Sequence, residues 1–259
     1  MGTRVNLFGI DIDNLTFEEA LEKIIGIVES NHKGYVVTAN VDHIVRLQDE
    51  PDFRKAYAGA LLVLADGMPI VMSSRLLGVP LKSRITGADL FPAICRVASE
   101  RGFKIFLLGG LPGVAEKAAQ KLKTMYPSIK FVGIYSPPFG FEKSDTESEK
   151  IRRMINDVAP DILFIGVGAP KQEMWIHKHI EELNIKVALC VGGAFDFVAG
   201  KVRRAPKILQ KLALEWFWRL IHEPKRLWRR YILYDTRFFS LFLKEFWNKK
   251  IGGHKKCVD

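Results

Sequence analysis

Leu61-Leu62-Val63-Leu64-Ala65-Asp66-Gly67-Met68-Pro69-Ile70 is the stretch whose reading decides the fold. Its aliphatic residues run without alternation, which suits a strand buried on both faces, and Gly67 and Pro69 then turn the chain into a new helix. Asp66 is therefore expected at a strand's carboxyl end. Ligands bind at that edge of an open parallel sheet, so a carboxylate there is placed for chemistry; the plainer alternative is a cap for the following helix.

The same pattern repeats on both sides of this stretch. Strands are expected at 5–10, 34–40, 61–66, 104–110, 129–135, 162–168 and 186–192, most of them followed by a segment of helical periodicity. Thr16-Phe17-Glu18-Glu19 is a capping box that opens the first helix. Pro51 should kink or split the helix expected over 41–58, and Thr86 with Asp89 can cap the one that follows the 78–87 loop. Pro137-Pro138-Phe139-Gly140-Phe141 begins a longer loop, expected to be mobile. Regular alternation of this kind predicts an α/β fold with a mainly parallel, doubly wound, Rossmann-like sheet.

From about Ala205 the pattern becomes purely helical, and the composition changes with it. Residues 1–200 hold 23 Lys and Arg against 24 Asp and Glu, whereas residues 201–259 hold 16 against 5. The excess charge of this +10 chain thus lies entirely in its last fifth, with four of the five tryptophans, Trp216, Trp218, Trp228 and Trp247. Leu209, Leu212, Ala213, Trp216, Phe217, Leu220 and Ile221 fall on one helical stripe, and Pro224 should end that helix. We expect two units: an α/β catalytic domain over 1–200 and an all-helical, basic and aromatic appendage over 201–259.

Such an appendage suits a membrane surface, with aromatics at headgroup depth and Arg and Lys on lipid phosphates. It is too apolar for a binder of nucleic-acid backbone alone, although basic and aromatic groups together also bind single strands; core helices closing over the sheet are the other alternative. No run approaches the roughly 18 apolar residues of a spanning helix, and no signal peptide is visible. Cys95, Cys190 and Cys257 are too few and scattered for a disulfide framework or zinc site, which points to a reducing compartment.

Glycine-rich strand exits recur at Gly109-Gly110, Gly166-Val167-Gly168 and Gly192-Gly193. Close backbone approach and free N–H groups at helix starts favour a phosphorylated ligand. A full Gly-x-Gly-x-x-Gly and a Walker-type loop are both missing, which disfavours dinucleotide and NTP binding. Asp11-Ile12-Asp13 has the Asp-x-Asp spacing that holds a divalent ion in many sugar-nucleotide transferases, yet it reads better as part of a turn, so no metal is expected. His43, His177 and His179 are expected in surface or packing roles.

Five motifs in order, Thr38-Ala39-Asn40-Val41-Asp42, Leu64-Ala65-Asp66-Gly67-Met68-Pro69, Arg84-Ile85-Thr86-Gly87-Ala88-Asp89, Gly166-Val167-Gly168-Ala169-Pro170-Lys171-Gln172-Glu173 and Gly192-Gly193-Ala194-Phe195-Asp196, resemble the WecG/TagA/CpsF family of bacterial glycosyltransferases. The resemblance spans about Val5 to Arg230. It implies an inverting, metal-independent transferase without a cofactor. The implied reaction moves N-acetylmannosamine from its UDP-sugar to the 4-hydroxyl of N-acetylglucosamine on undecaprenyl diphosphate, in wall teichoic acid synthesis. It also implies peripheral attachment to the cytoplasmic face of the cell membrane through the appendage. Other donors, N-acetylmannosaminuronic acid or a hexose, stay open, as do a homo-oligomer and, in another class, a nucleotide-sensing membrane adaptor without catalysis.

For that reaction Asp66 is the expected general base. Thr38 and Asn40 leave the neighbouring strand to orient sugars, and Gln172 stands on the first turn of a helix to meet donor phosphate or sugar. The glycines at 109, 110, 168, 192 and 193 line the donor site, with Asp196 for the uracil N–H. Cations must stabilise departing UDP where no metal does; Arg219, Arg226 and Arg229 suit that task or the lipid diphosphate, and Arg84 is the candidate from the core.

Overall fold

The computed structural model describes residues 3–30, 32–211, 214–229 and 234–254. Two strands, β1 (Arg4–Leu7) and β2 (Ile10–Asp13), form an antiparallel hairpin. Six more, β3 (Gly34–Ala39), β4 (Leu62–Ala65), β5 (Lys104–Gly109), β6 (Lys130–Tyr135), β7 (Ile162–Gly166) and β8 (Val187–Cys190), make a parallel sheet in the order β4-β3-β8-β7-β5-β6. The helices between strands are α1 (Phe17–Glu29), α2 (Val41–Asp49), α3 (Pro51–Ala58), α4 (Met68–Leu76), α5 (Gly87–Arg101), α6 (Val114–Met125), α7 (Asp145–Val158) and α8 (Lys171–His179). After β8 come α9 (Ala194–Ala199), α10 (Lys207–Lys211), α11 (Glu215–His222), α12 (Pro224–Arg229) and α13 (Arg237–His254).

Alternation within each strand divides the core into two layers. Tyr35, Val37 and Ala39 of β3 join the cluster that holds residues of α2, α3, α7 and α8. Val36 of β3 faces the other cluster, with α1, α5, α6 and α9. The helix that follows β3 therefore lies on one face of the sheet and the helix that follows β8 on the other. These two strands are neighbours, so their carboxyl ends bound a crevice, the position where doubly wound sheets take ligands.

The first predicted strand is not in this sheet. Phe8 and Gly9 both have positive φ, 55° and 77°, the signature of a two-residue hairpin turn, and the chain folds back on itself there. Asp13 then accepts a hydrogen bond from the Val63 N–H at 2.9 Å, and Arg4 donates to the Leu61 carbonyl at 2.9 Å. The hairpin thereby covers the β4 edge, which would otherwise offer unpaired backbone.

Other local expectations hold. Thr16 and Glu19 form the capping box, Pro51 starts a separate α3, and Thr86 caps α5. The loop after β6 is anchored sooner than its composition suggests, because Phe141 is buried with its ring 6.1 Å from that of Trp175, while Phe139 stands in solvent.

The stripe expected over 209–221 is two helices rather than one. Leu214 between them is not helical, and Leu212 and Ala213 lie outside the described residues. The break lets Gln210 and Glu215 both reach Arg84. Pro224 lies beyond the end of α11 and begins α12. On α13, Phe238, Leu241, Phe242 and Phe246 pack against the core; Glu245 accepts from the Phe8 N–H at 2.8 Å, and Arg237 donates to Asp49. Phe239, Leu243 and Trp247, one turn apart in succession, remain exposed.

Candidate active site

Asp66 continues β4 by one residue. Its N–H donates to the Ala39 carbonyl at 2.7 Å, and the Ile85 N–H donates to the Ala65 carbonyl at 2.8 Å, so the exits of β3 and β4 and the approach to α5 are tied together. The backbone N–H of Gly87, at the start of α5, favours the ionised Asp66 carboxylate. A Cβ on Gly87 would lie 2.9 Å from the Val191 Cα, so only glycine lets this helix start come so close to the β8 exit. Burial, then the charge of Glu215, pushes the Asp66 carboxyl up to about 6 against the opposing pull of Arg84. The result is a carboxylate that is ionised at neutral pH yet more basic than an exposed one, which suits a general base.

Around it lies a network of charges that spans the sequence. Asp89 accepts from the Thr86 hydroxyl at 2.8 Å and receives both guanidinium nitrogens of Arg204, at 2.5 and 2.7 Å. Arg84 donates to Glu215 and, at 2.9 Å, to Gln210. Segment 204–215 is thus latched to the mouth of the sheet by a bidentate Arg–carboxylate pair and a second pair beside it.

Thr38 is buried on β3, and Asn40 ends that strand as the cap of α2, its side-chain oxygen accepting from the His43 N–H at 3.1 Å. Behind them His43 Nδ1 and the Tyr57 hydroxyl are 2.6 Å apart, in the packing role expected for His43. His177 and His179 serve likewise: His177 meets the Tyr35 hydroxyl at 3.0 Å, and the ring of the buried His179 is 5.2 Å from that of Trp175.

The three glycine exits converge. Gly109 has φ 120°, and a Cβ there would lie 2.6 Å from the Gly166 carbonyl carbon; the Gly110 N–H donates to the Gly166 oxygen at 3.0 Å. Gln172 is 2% exposed, and its Oε1 accepts from the N–H groups of both Gly168 and Gly192 at 3.2 Å. Its Nε2 donates to Glu173 Oε1 at 2.7 Å. Gln172 therefore fastens two strand exits to each other, beneath the surface those turns present.

Arg219 of α11 comes to the same place. Its guanidinium lies 5.7 Å from the centre of the Phe197 ring and near Gly193, and its Nε is buried with no hydrogen-bond partner among the described residues. Asp196 lies 3.7 Å from Lys201 at the start of α9. The side chains of Arg226 and Arg229 lie outside the described residues. The latch formed by Arg204, Gln210 and Glu215 is absent from the sequence-based set, because pairing across more than a hundred residues leaves no local signal; the acid Glu173, bonded to its neighbour Gln172, is absent as well.

Asp11 and Asp13 are engaged elsewhere. Asp11 accepts from Asn6 at 2.7 Å, and Asp13 is buried between Val63 and Arg4. Among the described residues no group of three or more His, Cys, Asp or Glu is arranged to hold a metal ion.

An N-acetylglucosaminyldiphosphoundecaprenol N-acetyl-beta-D-mannosaminyltransferase of Staphylococcus aureus (strain MRSA252) is 33% identical over 228 residues, 87% of each chain. The protein of the same name from Bacillus spizizenii is 33% identical over 235 residues, 91% of this chain and 88% of its own. Residues 5–252 match the family described as glycosyl transferase WecG/TagA/CpsF. With its parallel sheet and an acid at the carboxyl edge, this chain belongs to the WecG/TagA/CpsF family and is a glycosyltransferase.

Proposed function

We propose that this enzyme transfers N-acetylmannosamine from UDP-N-acetylmannosamine to the 4-hydroxyl of N-acetylglucosamine on undecaprenyl diphosphate, with inversion, in wall teichoic acid linkage-unit synthesis. The names of its relatives support the sugar and the lipid-linked acceptor. The observation that carries the reading is Asp66 at the carboxyl end of β4, half-buried and more basic than usual, under the charge of Arg84 and next to β3, which bears Thr38 and leads into Asn40.

In a single displacement the acceptor hydroxyl loses its proton to Asp66 while its oxygen bonds to the anomeric carbon. The bond from that carbon to the diphosphate oxygen breaks, and the electron pair leaves with UDP. Thr38 and Asn40 orient the sugars. The glycine turns, whose N–H groups at 110, 168 and 192 are engaged within the protein, let the diphosphate approach the backbone closely, and Arg219 holds its developing charge, with Asp196 for the uracil N–H, while Arg226 and Arg229 act on the same charge or on the lipid diphosphate. No metal or other cofactor enters this scheme.

Residues 1–200 form the catalytic unit in this reading, and 201–259 complete the site at the inner face of the cell membrane. No helix among the described residues is long and apolar enough to cross a membrane. The exposed Phe239, Leu243 and Trp247 on α13, with Trp216, Phe217 and Ile221 on α11, supply apolar contacts for a peripheral attachment. A panel of UDP-sugars incubated with a short-chain polyprenyl-diphosphate N-acetylglucosamine, read by mass spectrometry, tests the assignment. UDP-N-acetylmannosamine is the expected donor; exclusive use of another UDP-sugar overturns the donor, and no release of UDP with any donor overturns the reaction.

A further inference from the structure

The first turn of α8 holds two adjacent buried polar side chains, Gln172 and Glu173. Glu173 is 0% exposed. One of its oxygens accepts from Gln172 Nε2 at 2.7 Å, and the other, Oε2, is buried without a hydrogen-bond partner among the described residues. Asp42 and Arg46 of α2, Tyr35 of β3, Tyr57 of α3 and Cys190 of β8 lie close enough to interact electrostatically with it. A buried carboxyl with half of its hydrogen-bonding capacity unused costs stability rather than adding to it, so packing does not account for it.

Its bond to the Gln172 side chain does. The amide of Gln172 has two orientations of nearly the same shape. In one, the carbonyl oxygen faces the Gly168 and Gly192 N–H groups and accepts from both. In the other, the NH2 group faces those N–H groups, donor against donor, and both are lost. Nothing in the glutamine itself forbids that turn-over. An acceptor on its far side does, because the NH2 must then point away from the glycines. Glu173 has an oxygen for that purpose whether or not it is ionised.

We propose that Glu173 is a positioning residue of the donor site: it fixes the Gln172 amide so that one oxygen joins the glycine turns leaving β7 and β8. The inference rests on the reading above in that those turns hold the UDP diphosphate. Burial pushes the Glu173 carboxyl up to about 7, so much of it is uncharged near neutrality and still accepts from Gln172.

The test is UDP binding by titration calorimetry to the full-length chain carrying Glu173→Gln, Glu173→Leu, Glu173→Ala or Gln172→Ala. Glu173→Gln keeps an acceptor oxygen and should bind UDP within about threefold of the parent. Glu173→Leu and Glu173→Ala lack it and should bind about tenfold more weakly or worse, roughly the loss of one to two hydrogen bonds. Glu173→Leu should at the same time raise the melting temperature. Hydrogen exchange at Gly168 and Gly192 should quicken in the acceptor-free variants and not in Glu173→Gln. Adding Glu173→Leu to Gln172→Ala should weaken binding no further, since the two residues act as one unit.

If Gln172→Ala itself binds UDP normally, the turns do not hold the donor and the functional reading of them fails. If Gln172→Ala weakens binding while Glu173→Leu and Glu173→Ala do not, or if glycine exchange is unchanged in both, the positioning role is overturned.

Discussion

Arg84 donates to Glu215, a partner 131 residues further along the chain, and both charges bear on Asp66. Arg84 favours the ionised form of Asp66 and Glu215 disfavours it. The basicity of the central acid is thus set partly by the C-terminal segment. The acid limb of the kcat/KM profile is expected near pH 6 in the parent, and removing either partner should shift it, in opposite directions. Glu215→Gln moves it to lower pH and Arg84→Gln to higher pH, by about one unit each. Shifts in the same direction would mean that another group controls the limb.

The raised carboxyl also leaves a mark on stability. Asp66 goes from an ordinary 3.8 to about 6 in the folded chain, so between those values the native state binds the proton more tightly than the unfolded state. Its contribution is therefore lost as pH rises from about 4 to 6 and stays lost above. Asp66→Asn does not titrate, and its stability relative to the parent should improve by about 1–3 kcal/mol between pH 4 and pH 7. Urea denaturation at the two pH values measures this; a difference independent of pH contradicts the assignment.

Asp66 was legible in the sequence because an unalternating run must be buried on both faces, and a carboxylate ending such a run falls on the ligand edge. The capping box at Thr16 and the Thr86 cap of α5 were legible for a similar reason, since both are local hydrogen-bond patterns with fixed spacing. The hairpin was not, because its turn places Phe8, a residue with a Cβ, in the left-handed region where glycine or asparagine is the usual sign. Gln172 was expected at the donor site from its place on the first turn of a helix, but its ties to Gly168 and Gly192 depend on two strand exits meeting in space. Arg204, paired with Asp89 across 115 residues, belongs to a segment whose helical stripe gave no hint of the latch.

The two sides of α13 should behave differently. Phe242 packs on the core, and Phe242→Ala should lower stability by about 1–3 kcal/mol. Joint replacement of the exposed Phe239, Leu243 and Trp247 by serine should change stability little and reduce flotation with anionic vesicles several-fold. Unchanged flotation would remove the membrane role from this face.

Asp13 serves the hairpin. Asp13→Ala leaves the Val63 N–H without its acceptor and Arg4 without its carboxylate, and should cost about 1–3 kcal/mol in denaturation experiments. Turnover per folded molecule should stay within about twofold of the parent, with or without EDTA. Loss of activity in EDTA, restored by manganese, would give Asp11 and Asp13 the metal role instead.

The most direct measurement is turnover of Asp66→Asn with UDP-N-acetylmannosamine and a polyprenyl-diphosphate N-acetylglucosamine, alongside its affinity for UDP. A general base predicts kcat lower by about 100-fold or more, with UDP bound as in the parent. Near-normal turnover by a variant that binds UDP normally would contradict the account.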